Sequence, residues 1–98
     1  MNFNDVLQNI EHTGGCDDRV RRIEYNSRRA CPGDLFVCLT GGQRDGHDYA
    51  QQAYENGCRM FLCEHPVDLP ADAVQAITPD TRAALAVISA DFYGHPAD

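Results

Sequence analysis

Two continuous apolar runs of strand length, Leu35 to Leu39 and Met60 to Cys63, constrain this chain more than any other feature. A strand that alternates apolar and polar side chains faces a core on one side only, whereas a run without alternation is covered on both faces. Between the runs lie a glycine-rich loop, Thr40 to Gly46, and a helical stretch, His47 to Asn56. In that stretch Tyr49 and Ala53, and Ala50 and Tyr54, are i, i+4 pairs, and Gly57 suits the residue just past the helix. Strand, loop, helix and strand in this order predict a right-handed parallel crossover.

The remaining elements are read in the same way. Phe3, Val6, Leu7 and Ile10 make the stripe of an amphipathic helix over residues 2–10, with Asn2 or Asn4 as its cap. His12 to Asp18 reads as a loop. Val20 to Tyr25 reads as a strand with Ile23 and Tyr25 on one face, and Cys31-Pro32-Gly33-Asp34 as a turn. Pro66 to Asp72 is loop and Val74 to Ile77 a short strand. Thr78 is the expected cap of a last helix opening on Pro79 and Asp80, with Leu85, Ile88 and Phe92 inward and Gly94 and Pro96 as its stop. The order α-β-β-α-β-β-α predicts a small single α/β domain over residues 1–98. Its sheet is expected to be mixed, mostly parallel, with four to five strands flanked by helices. A chain of 98 residues is enough for one domain and one modest core.

Charge narrows the function. Eight basic against fifteen acidic residues give −7, which argues against a nucleic-acid or anionic-membrane surface as a property of the whole chain. All eight basic residues are arginine. Without lysine, this chain has no lysine-bearing phosphate loop, Schiff base or lysine general base. Residues 1–44 carry six acids and six arginines, whereas residues 45–98 carry nine acids with only Arg59 and Arg82. An anionic ligand is therefore expected on the first half. Cys16, Cys31, Cys38, Cys58 and Cys63 form no CxxC pair, and the four histidines form no HxH or HxxxH pair. Free thiols in a reducing cytoplasm and no metal are the expectation. No stretch approaches transmembrane length and no leader-like segment opens the chain.

Ligands of open α/β sheets sit beyond the carboxyl ends of strands. Two segments meet that condition: Tyr25-Asn26-Ser27-Arg28 and Thr40-Gly41-Gly42-Gln43-Arg44-Asp45-Gly46. The second runs into a helix N-terminus, where free N–H groups favour an anion. Paired glycines permit close backbone approach, and Arg28 and Arg44 offer guanidinium forks to a phosphate. Each feature also has an ordinary structural reading. The glycines serve a turn, Asp45 caps a helix, and Ser27 closes a strand end. Arg19, Arg21 and Arg22 form a solvated strand face, and Tyr25, alternating with Ile23, belongs to the core.

The spaced motifs Tyr25-Asn26-Ser27-Arg28, Pro32-Gly33-Asp34-Leu35-Phe36-Val37, Gly41, Asp45-Gly46-His47-Asp48-Tyr49, Ala53, Gly57 and Cys58 resemble the N-terminal domain of the Mur ligases. Asp91-Phe92-Tyr93-Gly94-His95-Pro96 resembles the MurE type, which adds the third stem-peptide amino acid; the MurF type shares the other motifs. The resemblance spans about residues 20–96. It implies a cytoplasmic, ATP- and Mg²⁺-dependent amide ligase whose N-terminal domain holds the UDP part of UDP-N-acetylmuramoyl-dipeptide. Uridine and diphosphate contacts would fall on Tyr25, Ser27, Arg28, Gly42, Gln43 and Arg44, with no catalytic or metal residue in this domain. Asn26 stands where many relatives have Asp, and Cys58 where Ala is common. In the family a Gly-Thr-Asn-Gly-Lys-Thr phosphate loop follows closely, so the chain resembles a ligase fragment cut at a domain boundary, inactive alone. The central ATP-binding and C-terminal domains would then be its partners. A stand-alone nucleotide-binding or interaction module is the alternative of another class.

Overall fold

Alternate side chains of the two apolar runs pass to opposite faces of a central sheet. The computed structural model describes residues 2–39 and 46–93. In chain order the elements are α1 (Phe3–Leu7), β1 (Thr13–Gly14), β2 (Arg22–Glu24), β3 (Asp34–Val37), α2 (Ala50–Glu55), β4 (Met60–Cys63), β5 (Val74–Ile77) and α3 (Thr81–Tyr93), with 3-10 turns at Ser27–Arg29 and Gly46–Tyr49. The strands form one sheet in the order β1-β5-β4-β3-β2. β2, β3, β4 and β5 are mutually parallel, and β1 pairs antiparallel with β5. The expected mixed, mostly parallel α/β sheet is the one found.

Both faces are covered, as unalternated strands require. Leu35, Val37, Met60 and Leu62 meet Phe3, Val6 and Leu7 of α1 and Ala84 and Ile88 of α3. Phe36, Cys38, Phe61 and Cys63 meet Ala50 and Ala53 of α2. On that second face the Phe36 and Phe61 rings lie edge to face, centroids 6.1 Å apart. Leu85 and Phe92 pack at the margin of the first core, beside the fully buried Ile88.

Local chemistry sets the ends of the elements. Asn2 caps α1 in a reciprocal box with Asp5: Asp5 N donates to Asn2 Oδ1 at 2.8 Å and Asn2 N to Asp5 Oδ2 at 3.2 Å. The Pro32-Gly33 turn closes through Asp34 N donating to Cys31 O at 3.1 Å.

Four sequence expectations need correction. The helix over 2–10 is shorter, ending at Leu7, although Ile10 still packs on the core. The 12–18 segment is not all loop, because Thr13 and Gly14 extend the sheet beside Ile77 and Ala76. The second helix opens as a 3-10 turn and becomes α-helical at Ala50. α3 starts at Thr81 rather than after Thr78. The Thr78 N–H is bonded to Cys63 O at 2.9 Å, so Asp80 takes the capping position and receives Ala83 N at 3.1 Å. Glu64 Oε2 adds bonds from Thr81 N at 2.9 Å and Thr81 Oγ1 at 3.1 Å, capping the helix from the end of β4. The expected stop at Gly94 and Pro96 lies outside the described residues.

All five cysteines are free thiols; Cys38, Cys58 and Cys63 are buried and Cys31 is exposed. Burial, followed by the charge of Asp34, pushes the Cys58 thiol up to about 12 from its ordinary 9.0. The unfolded chain therefore releases this proton at lower pH than the fold does. Its contribution is intact below about pH 9 and is lost as pH rises toward 12. Denaturant melts across this range should show a steeper loss of stability for the wild type than for Cys58→Ala. Equal slopes would remove Cys58 as the cause.

Candidate functional site

The carboxyl end of β2 is built to hold one short segment rigidly. Glu24 is buried despite its carboxyl group, whose Oε2 accepts the N–H groups of both Tyr25 and Asn26 at 3.1 Å. Asn26 then caps the 3-10 turn, its Oδ1 accepting Arg28 N at 3.0 Å. The strand stops at Glu24, so the alternation that would place Tyr25 beside Ile23 ends one residue early. Tyr25 is 61% exposed, a correction to its core reading.

α2 locks the same turn from the other side. The Ser27 hydroxyl donates to Gln52 Oε1 at 2.8 Å, and Asn56 Nδ2 donates to Ser27 O at 2.8 Å. Gln52 and Asn56 are i, i+4 and share one face of the helix. Together Tyr25, Asn26, Ser27, Arg28, Tyr49 and Gln52 line an open cleft of about 430 Å³. Chemically it offers an exposed aromatic ring, a guanidinium, a side-chain amide and a hydroxyl already oriented by a partner. An aromatic face suits a nucleobase and a guanidinium fork suits a phosphate.

Of the residues the sequence singled out, Tyr25, Ser27 and Arg28 come together in this cleft. Gly42, Gln43 and Arg44 lie outside the described residues. Sequence reading missed Tyr49 and Gln52. The polar i, i+4 pair Gln52 and Asn56 on a helix following the glycine loop was the available signal. It also misread Arg22, which is not simply part of a solvated face. The Arg22 guanidinium lies 2.9 Å from Asp34 Oδ2 and 3.5 Å from Glu24 Oε1, and donates to Arg29 O at 2.9 Å. The hydrogen bond to Asp34, then that residue's charge, raises the Arg22 pKa further above its ordinary value. Arg22 thus braces the strand end and the 3-10 turn from beneath, leaving Arg28 for the cleft. In the acidic half Arg59 is also committed, to Asp72 at 3.1 Å and over the Tyr54 ring at 3.8 Å. Among the described residues no helix is long and apolar enough to cross a membrane.

A mostly parallel α/β sheet with a polar, arginine-bearing cleft beyond a strand end has its opening where open α/β sheets bind ligands. Residues 19–93 match the family described as Mur ligase family, catalytic domain, and the chain belongs to that family. It is 46% identical over 100 residues to the UDP-N-acetylmuramoyl-L-alanyl-D-glutamate–2,6-diaminopimelate ligase of Syntrophomonas wolfei, covering 99% of this chain and 20% of that protein. It is 33% identical over 101 residues to UDP-N-acetylmuramyl-tripeptide synthetase 2 of Oceanobacillus iheyensis, again covering 99% of this chain and 20% of the relative. It superposes on a crystal structure of MurF from Acinetobacter baumannii with a TM-score of 0.82 and 30% identity, over 91% of this chain and 20% of that one. The MurF ligase of Thermotoga maritima, solved with ADP, gives a TM-score of 0.64 at 27% identity over 76% of this chain and 17% of that one. The chain spans about one fifth of the length of the curated relatives it matches.

Proposed function

We propose that this chain is the UDP-binding part of a MurE-type ligase, holding the nucleotide end of UDP-N-acetylmuramoyl-dipeptide while ATP-dependent amide formation occurs on other domains. The observation that carries this reading is the cleft at the end of β2, where three of the positions expected from the family resemblance converge on one open surface. Tyr25 would present its ring to the base, Arg28 its fork to the diphosphate, and Ser27 a hydroxyl held in place by Gln52. Gly42, Gln43 and Arg44, which lie outside the described residues, would add the contacts that the family resemblance implies. The chain contains no lysine to seat a phosphate loop, so ATP does not fit its residues in that way and no catalytic step is assigned to this chain. Its part is positional: binding energy from a remote handle orients the reacting carboxylate elsewhere. The MurF type is the second reading, favoured by the solved structures it superposes on.

Titration of UDP into the 98-residue chain, followed by amide NMR, tests this proposal. Shifts are expected at Ser27 and Gly42, with a dissociation constant on the order of 1 mM because the pocket is only partly supplied by this domain. Ser27→Ala and Gln52→Ala should each weaken binding roughly fivefold, the worth of one neutral hydrogen bond. Silence at both amides, or equal shifts with inorganic phosphate alone, refutes the assignment.

A further inference from the structure

A second cluster, of residues that do not line this cleft, lies on the α2 face of the sheet. Cys38 follows β3 and Cys63 ends β4. The register that pairs Val37 with Leu62 brings the next two residues side by side, with Sγ atoms 3.6 Å apart. His47 descends from the 3-10 turn Gly46–Tyr49 onto the same spot. One ligand atom from each of Cys38, His47 and Cys63 lies within 4.8 Å of the others, and all three residues are buried.

We propose that Cys38, Cys63 and His47 form a binding site for one Zn²⁺ ion. The donor set of two soft sulfurs and one imidazole selects thiophilic cations over Mg²⁺ or Ca²⁺. With Zn–S bonds of about 2.3 Å, a tetrahedral ion holds its two sulfurs roughly 3.8 Å apart. The observed 3.6 Å needs an adjustment of only tenths of an ångström. It is also far from the roughly 2.05 Å of a disulfide. Charge points to Zn²⁺ over Cu⁺. Two thiolates and a neutral imidazole around a divalent ion sum to zero, the state that an apolar core of Ala50, Ala53, Phe36 and Phe61 tolerates. A monovalent ion would leave a buried net charge. Binding is balanced by release of the two thiol protons to solvent, each sulfur exchanging its S–H bond for a bond to the metal. The fourth position is left to a water molecule. His47 Nε2 accepts the Glu64 N–H at 2.9 Å, so this nitrogen carries a lone pair rather than a proton. A cation on that ring perturbs or replaces this bond, which makes the Glu64 amide a specific reporter. His65 stacks on His47 with ring centroids 4.0 Å apart and covers it from the exposed side.

The test uses the reduced, chelator-treated chain with Co²⁺ as spectroscopic probe and Zn²⁺ as competitor. Expected are thiolate-to-cobalt charge-transfer absorption at one equivalent, its loss on adding Zn²⁺, and a shift of the Glu64 amide. Zn²⁺ at a hundredfold excess over its dissociation constant should raise Tm by about 10 °C. Cys38→Ser and Cys63→Ser, checked by their own melts to be folded, should lose the absorption, whereas Cys16→Ser and Cys31→Ser should keep it. Absence of charge transfer in the folded wild type overturns the proposal. So does its persistence in Cys38→Ser, or its loss in Cys31→Ser.

Discussion

Arg22→Ala should lower Tm by well more than the loss of an isolated surface charge would. The reason lies beneath the residue. Arg22 itself is 46% exposed, but the Asp34 side chain it bonds at 2.9 Å is only 1% exposed. Removing the guanidinium leaves the Asp34 carboxylate with the Cys31 N–H, at 3.0 Å, and takes away the cation 3.5 Å from Glu24. A carboxylate that loses its counter-charge inside the protein costs far more than a surface ion pair is worth. Arg29 O also loses its donor, so the 3-10 turn that carries Ser27 and Arg28 should loosen. Arg22→Lys should recover only part of the loss: the three acceptors all meet Arg22 at Nη2, and the shorter lysine chain must bring its ammonium to that same point. Thermal melts of the two variants check this, and a shift below about 3 °C for Arg22→Ala would show that water replaces the guanidinium at Asp34.

Gly46→Ala should cost about 2–3 kcal/mol for a different reason, with a similar fall in Tm. A Cβ on Gly46 would stand 2.5 Å from Leu39 N, 2.8 Å from Leu39 O and 3.1 Å from the carbonyl carbon of Cys38. All three are backbone atoms of the segment leaving β3, so no side chain can swing away. The close approach is held by Gly46 N donating to Leu39 O at 2.6 Å. The two bonded residues flank positions 40–45 in the sequence, which include Gly42, Gln43 and Arg44. UDP titration of a still-folded Gly46→Ala chain should therefore show weaker binding as well as lower stability. A variant that melts like the wild type would mean that the two backbones separate at little cost.

Much of the architecture was legible in the chain itself. The unalternated runs at 35–39 and 60–63 required two covered faces, and the fold supplies α1 and α3 on one and α2 on the other. The Pro-Gly turn and the Asn2 cap depend on atoms only a few residues apart, so local sequence suffices for them. What escaped depends on distant partners. β1 is two residues long and exists through pairing with β5 more than sixty residues away. The start of α3 moved because Thr78 was already bonded to Cys63 and because Glu64 capped the helix from another strand. Half of the candidate site followed the same division. Tyr25, Ser27 and Arg28 were visible as the end of a strand, whereas Gln52 entered only when α2 was laid against that end.

The sequence by itself determined a parallel α/β sheet covered on both faces, an arginine-bearing first half and the absence of lysine chemistry, because periodicity, turn residues and charge are properties of neighbouring positions. Only the tertiary structure decided which arginine is structural and which faces the cleft, which helix orients Ser27, and that Cys38, His47 and Cys63 meet. These choices turn on hydrogen bonds and burial between segments far apart in the chain, and no local pattern specifies them.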